Sequence, residues 1–94
     1  MLNDIFGPSI HLLIFDMFLE NSDKLMNLRE IARMVDKNPG SVSRVIPILV
    51  ENELLEQIKV GKKMYVYRLH QKNDVVKLIM DFYEKLKKLY ENKK

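Results

Sequence analysis

Leu28-Arg29-Glu30-Ile31-Ala32-Arg33-Met34-Val35-Asp36-Lys37-Asn38-Pro39-Gly40-Ser41-Val42-Ser43-Arg44 contains two helices and a tight turn. Asn27 stands just before it and Glu30 three residues on, the spacing of a capping box, in which cap side chain and N3 side chain each satisfy the other's backbone amide. Ile31, Ala32 and Val35 supply the apolar side of a short helix over Leu28–Val35. Asp36–Pro39 reads as a turn. Asn38 followed by Pro39 is the strongest helix start in the chain: asparagine is a preferred N-cap, and proline at the first helical position loses no hydrogen bond. Val42, Val45, Ile46, Leu49 and Val50 recur at helical period, so this second helix runs from Pro39 to about Glu51.

On the N-terminal side, Ile10–Glu20 is helical by length and apolar density, starting at Pro8 or Ser9. Its apolar side chains nearly encircle it, which requires cover on more than one side. Asn21–Lys24 is a polar break. On the C-terminal side, Leu54–Val60 and Met64–Leu69 read as strands joined by Gly61-Lys62-Lys63, a hairpin with a basic tip. Tyr65 and Tyr67 alternate with Met64, Val66 and Arg68 and are expected in the core. Asn73 or Asp74 then caps a helix from Val75 to about Glu91, about 25 Å long. The expected fold is mainly α with a small β-hairpin: a winged helix-turn-helix over residues 1–72, and a long C-terminal dimerisation helix over 73–94, in one compact domain.

Val75, Ile79, Phe82, Leu86 and Leu89 are spaced 4, 3, 4 and 3, a heptad stripe that Val76, Tyr83 and Tyr90 widen. Such a helix either crosses its own core or packs against a second copy as a short coiled coil. The helix is long for so small a domain, and the first helix is over-apolar, so a two-fold dimer is expected. Its interface would include Ile10, Leu13, Ile14 and Met17 of the first helix and Val75, Ile79, Phe82, Leu86 and Leu89 of the last.

The chain has 94 residues, room for one domain. It has no cysteine, which excludes disulfides and thiolate zinc sites, and two histidines, His11 and His70, that form no cluster with other ligands. No catalytic constellation, metal site or cofactor is expected, and no pattern marks a small-molecule effector site. The apolar run Ile10–Leu19 is broken by Asp16 and is half the ~20 residues of a membrane span. No basic stretch precedes it, so neither a secretory signal nor membrane association is expected, and a cytoplasmic location fits the absence of cysteine. The formal charge is +3 from 16 basic and 13 acidic residues, unevenly placed. Residues 1–56 carry a net charge of −4 and residues 57–94 a net of +7. Lys59, Lys62, Lys63 and Arg68 fall in a segment without acids, consistent with a polyanionic partner or with a solubilising surface.

A helix starting at Pro39 would present its first turns to a major groove. The exposed positions by period are Gly40, Ser41, Ser43 and Arg44, with Lys37 and Asn38 just before them. Arg44 suits a bidentate pair with guanine or a phosphate contact. Arg29 and Arg33, four apart on the short helix, would clamp the backbone beside the groove, unless they pair with Glu30 or Asp36. Lys59, Lys62 and Lys63 at the hairpin tip are point charges suited to phosphates.

Residues 2–71 resemble the winged-helix DNA-binding domains of the ArsR- and MarR-like repressor superfamily, in its archaeal and archaeal-virus forms. The similarity lies in Leu28-Arg29-Glu30-Ile31-Ala32, in Asn38-Pro39-Gly40-Ser41-Val42-Ser43-Arg44, and in the Gly61-to-Leu69 wing. Members commonly show Leu-Arg-Glu-Ile-Ala and then Ser-Pro-Ser-Thr-Val-Ser-Arg, so Gly40 and Ser41 stand where Ser and Thr are usual. Two departures stand out. Pro47 falls inside the second helix, where it should kink the helix or end its regular part. The usual glycine after that helix is replaced by Glu53, which leaves Asn52 to take the left-handed position. The resemblance implies a dimeric, sequence-specific double-stranded DNA-binding protein that regulates transcription. A DNA-coating, architectural or partition protein and a winged-helix protein-interaction module are the alternatives.

Overall fold

The computed structural model describes residues 1–92. The order is α1 (Leu2–Phe6), α2 (Ile10–Glu20), α3 (Leu28–Val35), α4 (Pro39–Glu51), β1 (Leu55–Val60), β2 (Met64–Leu69) and α5 (Asp74–Asn92). This is a winged helix-turn-helix followed by a long C-terminal helix.

The expected caps form. The Glu30 amide donates to Asn27 Oδ1 at 2.9 Å, and the Asn27 amide donates to Glu30 Oε1 at 3.1 Å. The Gly40 amide donates to Asn38 Oδ1 at 2.7 Å, and the Leu12 amide to Ser9 Oγ at 3.1 Å. Asn73 is the cap of α5: its Oδ1 accepts from the amides of Val75 at 2.8 Å and Val76 at 3.2 Å. Asp36 ends α3 in the left-handed conformation with φ 54°. The turn after α4 departs from expectation. Asn52 keeps a negative φ of −85°, and Glu53 takes the left-handed position at φ 60°. The reason is local: the Asn52 amide and side chain both donate to the Ile48 carbonyl, extending the helical turn by one residue, and the Leu54 amide closes onto Leu49 O at 2.9 Å. Pro47 does not end α4, which continues to Glu51. Ser43, whose carbonyl Pro47 leaves without an intrahelical donor, and Pro47 itself lie on the exposed side, where water can take the free oxygen.

The core is built from α2, α3 and α4, closed by Leu55 and Leu69 of the hairpin and by Val76 and Tyr83 of α5. The over-apolar α2 finds most of its cover within the protomer. Phe15, Phe18 and Leu19 are buried, and Ile10, Leu12, Leu13 and Met17 pack partly against the core. Ile14 is 0% exposed, so the expectation that it lies at a dimer interface is corrected: its side chain is spent on its own core. Part of this cover comes from α1, a separate short helix that folds back on α2. The buried carboxylate of Asp16 accepts from the Leu2 amide at 2.9 Å, the Asn3 amide at 2.8 Å and the Met1 amino group at 3.1 Å. The acid that interrupts the apolar run is therefore the cap of α1.

β1 and β2 pair antiparallel, from Leu55 with Leu69 to Val60 with Met64. Met26 adds a bridge to Tyr67, with backbone hydrogen bonds of 2.9 and 2.8 Å, and so ties the start of α3 to the wing. Leu69, Tyr67 and Tyr65 share one face of β2, and burial falls along it from buried to half-buried to exposed. Tyr65 is 41% exposed and lies outside the core, contrary to expectation, because the hairpin outruns the domain beneath it.

The broad stripe of α5 is divided between two surfaces. Val76 and Tyr83 face inward, and the Tyr83 hydroxyl donates to Glu20 of α2. Lys87 lies 3.8 Å from that carboxylate and 5.8 Å from the centre of the Tyr83 ring. Ile79 and Leu86 are half-buried. Val75, Leu78, Phe82 and Leu89 are exposed, Leu78 at 71%. No helix among the described residues is long and apolar enough to cross a membrane.

Candidate nucleic-acid interface

The exposed side of α4 is set by its buried one. Val42, Val45, Ile46 and Leu49 enter the core, which leaves Gly40, Ser43, Arg44, Pro47 and Ile48 outward at helical spacing, with Ser41 at the margin. Asn38 caps this face and uses its carbonyl oxygen on the Gly40 amide, leaving its amide group free to donate outward. A Cβ on Gly40 would lie 3.0 Å from that same oxygen, so glycine here makes room for the cap. The Ser43 hydroxyl donates to the Gly40 carbonyl at 2.8 Å. Its proton is therefore committed, and toward a ligand Ser43 is an acceptor.

The cations divide into free and paired sets. Among the described residues, Arg29, Arg33, Lys37, Arg44, Lys59, Lys62 and Lys63 are exposed and have no carboxylate within ion-pair distance. The alternative pairing of Arg29 or Arg33 with Glu30 or Asp36 does not form; Glu30 is engaged in the capping box instead. Arg68, by contrast, donates to its cross-strand neighbour Glu56 at 2.5 Å. The hydrogen bond to Arg68 holds the Glu56 carboxyl below the usual range, against the opposing effect of partial burial; Arg68, His70 and Lys72 add favourable charge. On α5, Lys85 pairs with Asp81 at 3.0 Å and Lys87 with Glu20. Those two lysines are thus held on the helix surface, while Lys93 and Lys94 lie outside the described residues.

The fold brings Arg29 together with Lys62 and Lys63. They line one cleft of about 580 Å³ between the start of α3 and the wing. Tyr65 shares this cleft, a residue that alternation alone assigned to the core; its nearness to the Gly61 tip was the available signal. Lys37 lies elsewhere, beside the turn between α1 and α2, in a small cleft shared with Ser9 and Ile10. Arg33 and Arg44 stand exposed on α3 and α4. No group of three or more His, Asp or Glu residues is arranged to hold a metal ion among the described residues.

No protein-family model matches the chain, and no curated protein sequence does. Solved structures do match. The ZitR C30AH42A mutant of Lactococcus lactis in apo form superposes with a TM-score of 0.65 at 18% identity, over 85% of this chain and 63% of its own. A homodimeric winged helix-turn-helix DNA-binding domain from Mycobacterium bovis, described as a possible ArsR-family transcriptional regulator, gives 0.64 at 17% identity over 88% of this chain and 71% of its own. The transcriptional regulator BldR of Sulfolobus solfataricus gives 0.62 at 11% identity, over 87% of this chain and 58% of its own. The present chain thus spans about three-fifths of the Lactococcus and Sulfolobus chains. At these identities the likeness establishes a shared winged-helix fold.

Proposed function

We propose that this chain binds double-stranded DNA as a homodimer and regulates transcription. The observation that supports this reading best is the concentration of exposed cations without an ion pair on α3, α4 and the hairpin tip, where Arg29, Arg33, Arg44, Lys59, Lys62 and Lys63 stand, whereas Arg68 at the base of the wing and Lys85 and Lys87 on α5 are paired. In this reading residues 1–72 are the reading domain. The first turns of α4 enter the major groove, Arg44 contacts a base or its flanking phosphate, and Ser41 and Ser43 accept from base edges. Asn38 and Lys37 donate to the backbone at the entrance of α4. Arg29, Arg33, Lys59, Lys62 and Lys63 hold phosphates, and such contacts position the protein without reading sequence. The segment from residue 73 onward pairs two copies. In the pairing, Val75, Phe82 and Leu89 lie at the centre with Leu78, flanked by Ile79 and Leu86; Ile10, Leu13 and Met17 contribute at its edge. A two-fold dimer places two α4 helices about one DNA turn apart and implies a palindromic or pseudo-palindromic site. The ArsR- and MarR-like superfamily is the family this reading implies, working in the cytoplasm; its archaeal or archaeal-virus branch rests on the Leu28–Ala32 and Asn38–Arg44 strips alone.

One observation favours the lower-specificity alternative, a coating or partition protein. Of the outward positions on α4, Gly40, Pro47 and Ile48 offer no side-chain hydrogen bond, and the Ser43 proton is committed. Selection from a randomised duplex library at two salt concentrations separates the readings. A regulator recovers a palindrome, and Arg44→Ala weakens binding to it by about 1–3 kcal/mol while relaxing preference at one position of each half-site. Salt-sensitive binding with no recovered motif identifies the coating role. No binding at low salt overturns the DNA reading and leaves a protein-interaction module.

A further inference from the structure

Pro47 lies inside α4, and its ring is exposed rather than packed into the core that Val42, Val45, Ile46 and Leu49 enter. The helix runs past it to Glu51 without a break. A proline in a helix interior supplies no amide to the carbonyl four residues back and pushes that carbonyl off the helix axis. The carbonyl concerned is that of Ser43, one turn earlier on the same exposed side. The Ser43 hydroxyl donates to the Gly40 carbonyl at 2.8 Å, so its oxygen also keeps only lone pairs for a ligand. Ser43 thus turns two oxygens outward and offers no proton with either. Its neighbours on the exposed side are the complement: Arg44 and the side-chain amide of Asn38 are donors.

We propose that the Ser43 carbonyl, freed by Pro47, accepts a hydrogen bond from the exocyclic amino group of an adenine or a cytosine. Pro47 is then a specificity-determining residue that acts through that oxygen, as a positioning residue. This inference rests on the DNA-binding reading above and adds to it a preference set by the main chain. In a solvated helix, water satisfies such a carbonyl. In the major groove the donors are the N6 amino group of adenine and the N4 amino group of cytosine. Guanine O6 or thymine O4 in the same place presents lone pairs to lone pairs, and with water expelled both acceptors are left unsatisfied. The carbonyl therefore selects by rejection as well as by attraction. A reading face on which Gly40, Pro47 and Ile48 carry no hydrogen-bonding side chain gains a reader from its backbone. Any other residue at position 47 supplies an amide that closes onto Ser43 and removes that reader.

The test is selection from a randomised duplex library by the full chain, as wild type, Pro47→Ala and Pro47→Val, with a thermal melt of each. The wild type is expected to prefer adenine or cytosine at one position of each half-site by roughly 3–10-fold, the worth of one hydrogen bond. Both variants are expected to recover the rest of the motif and lose the preference at that position. Pro47→Ala is also expected to melt about 4–8 °C higher, because alanine restores a helical hydrogen bond where proline has none. A lost preference in a more stable protein separates the effect from a damaged fold. Replacing the preferred base by its analogue without the amino group, purine for adenine or 2-pyrimidinone for cytosine, should weaken wild-type binding by the same factor and leave Pro47→Ala nearly unaffected. The analogue that has this effect tells which base is read. Pro47→Ala with an undiminished preference at every position overturns the inference and leaves the DNA reading intact. So does a loss of affinity equal at all sequences, which assigns Pro47 to the bend of α4 alone. A preference kept by Pro47→Val and lost by Pro47→Ala assigns the reading to an apolar contact and overturns the carbonyl. Wild-type binding with no motif overturns the inference together with the regulator, and no binding at low salt removes the DNA reading itself.

Discussion

Tyr83→Ala is expected to cost about 3–5 kcal/mol of folding stability, the range for removing a large aromatic side chain from a core. Tyr83 is 2% exposed, and its hydroxyl donates to Glu20 of α2. It is, with Val76, one of two buried side chains by which α5 is anchored. A domain of this length has a total stability on the order of 5–15 kcal/mol, so the loss is a large part of the whole. It is expected first as undocking of α5, seen as lost protection of the α5 amides in hydrogen exchange before α2–α4 lose theirs. Tyr83→Phe keeps the ring and isolates the hydroxyl, and about 1 kcal/mol is expected for it. The pair also separates at high pH. Burial, then the hydrogen bond to Glu20, then the nearby carboxylates push the Tyr83 phenol well above its ordinary value of 10.0. The folded state therefore holds that proton more tightly than the unfolded chain does. This contribution is complete below pH 10 and is lost as the pH rises from there toward the raised folded value. Denaturant midpoints measured from pH 8 to pH 12 should fall more steeply in the wild type than in Tyr83→Phe. Parallel curves would show that Tyr83 does not govern the alkaline limb.

Leu78→Glu with Phe82→Glu is expected to abolish the proposed dimer while sparing the fold. Both side chains are exposed on the outer face of α5, with Val75 and Leu89 on the same stripe. Two carboxylates placed there meet only water in a monomer, and surface substitutions of that kind change stability by about 0.5 kcal/mol or less. In a two-fold pairing the same positions are occupied twice, so four buried charges face an apolar seam without partners. Sedimentation equilibrium should show dimer for the wild type and monomer for the variant at equal concentration. Because a dimer binds its second half-site intramolecularly, affinity for a full palindrome should fall by roughly 10²–10⁴. Binding to a single half-site should hardly change. A wild-type chain that sediments as a monomer at tens of micromolar would remove the dimer from the proposal.

Much of the candidate site was legible because its signals are local. The capping box of Asn27 and Glu30, the Asn38–Pro39 start and the Gly61 turn each lie within a few residues of the structure they produce. The helix periods likewise identified which side of α4 turns outward, and with it Ser43 and Arg44. Whether a basic residue is free or paired was less legible. Arg68 looks like its neighbours in sequence, and only the Glu56 register across the hairpin separates it from Lys62 and Lys63.

Side-chain periodicity determines which residues share a face but carries no distance to the rest of the domain. The sequence alone therefore determined the order of the elements from α2 to α5, the N-terminal caps of α3 and α4 and the outward face of α4, but neither α1 nor the turn after α4. Tertiary structure decided how each apolar face is used: Ile14 is fully buried in the protomer core, while α1 folds back on α2 at Asp16. It also split the α5 stripe between the protomer core at Val76 and Tyr83 and solvent at Leu78 and Phe82. Tyr65 and Tyr67 have the same parity on one strand and differ in burial because the hairpin extends past the core that covers Tyr67. The angle at which a helix docks and the point at which a strand leaves the core are set by packing between distant segments, and no local pattern encodes them.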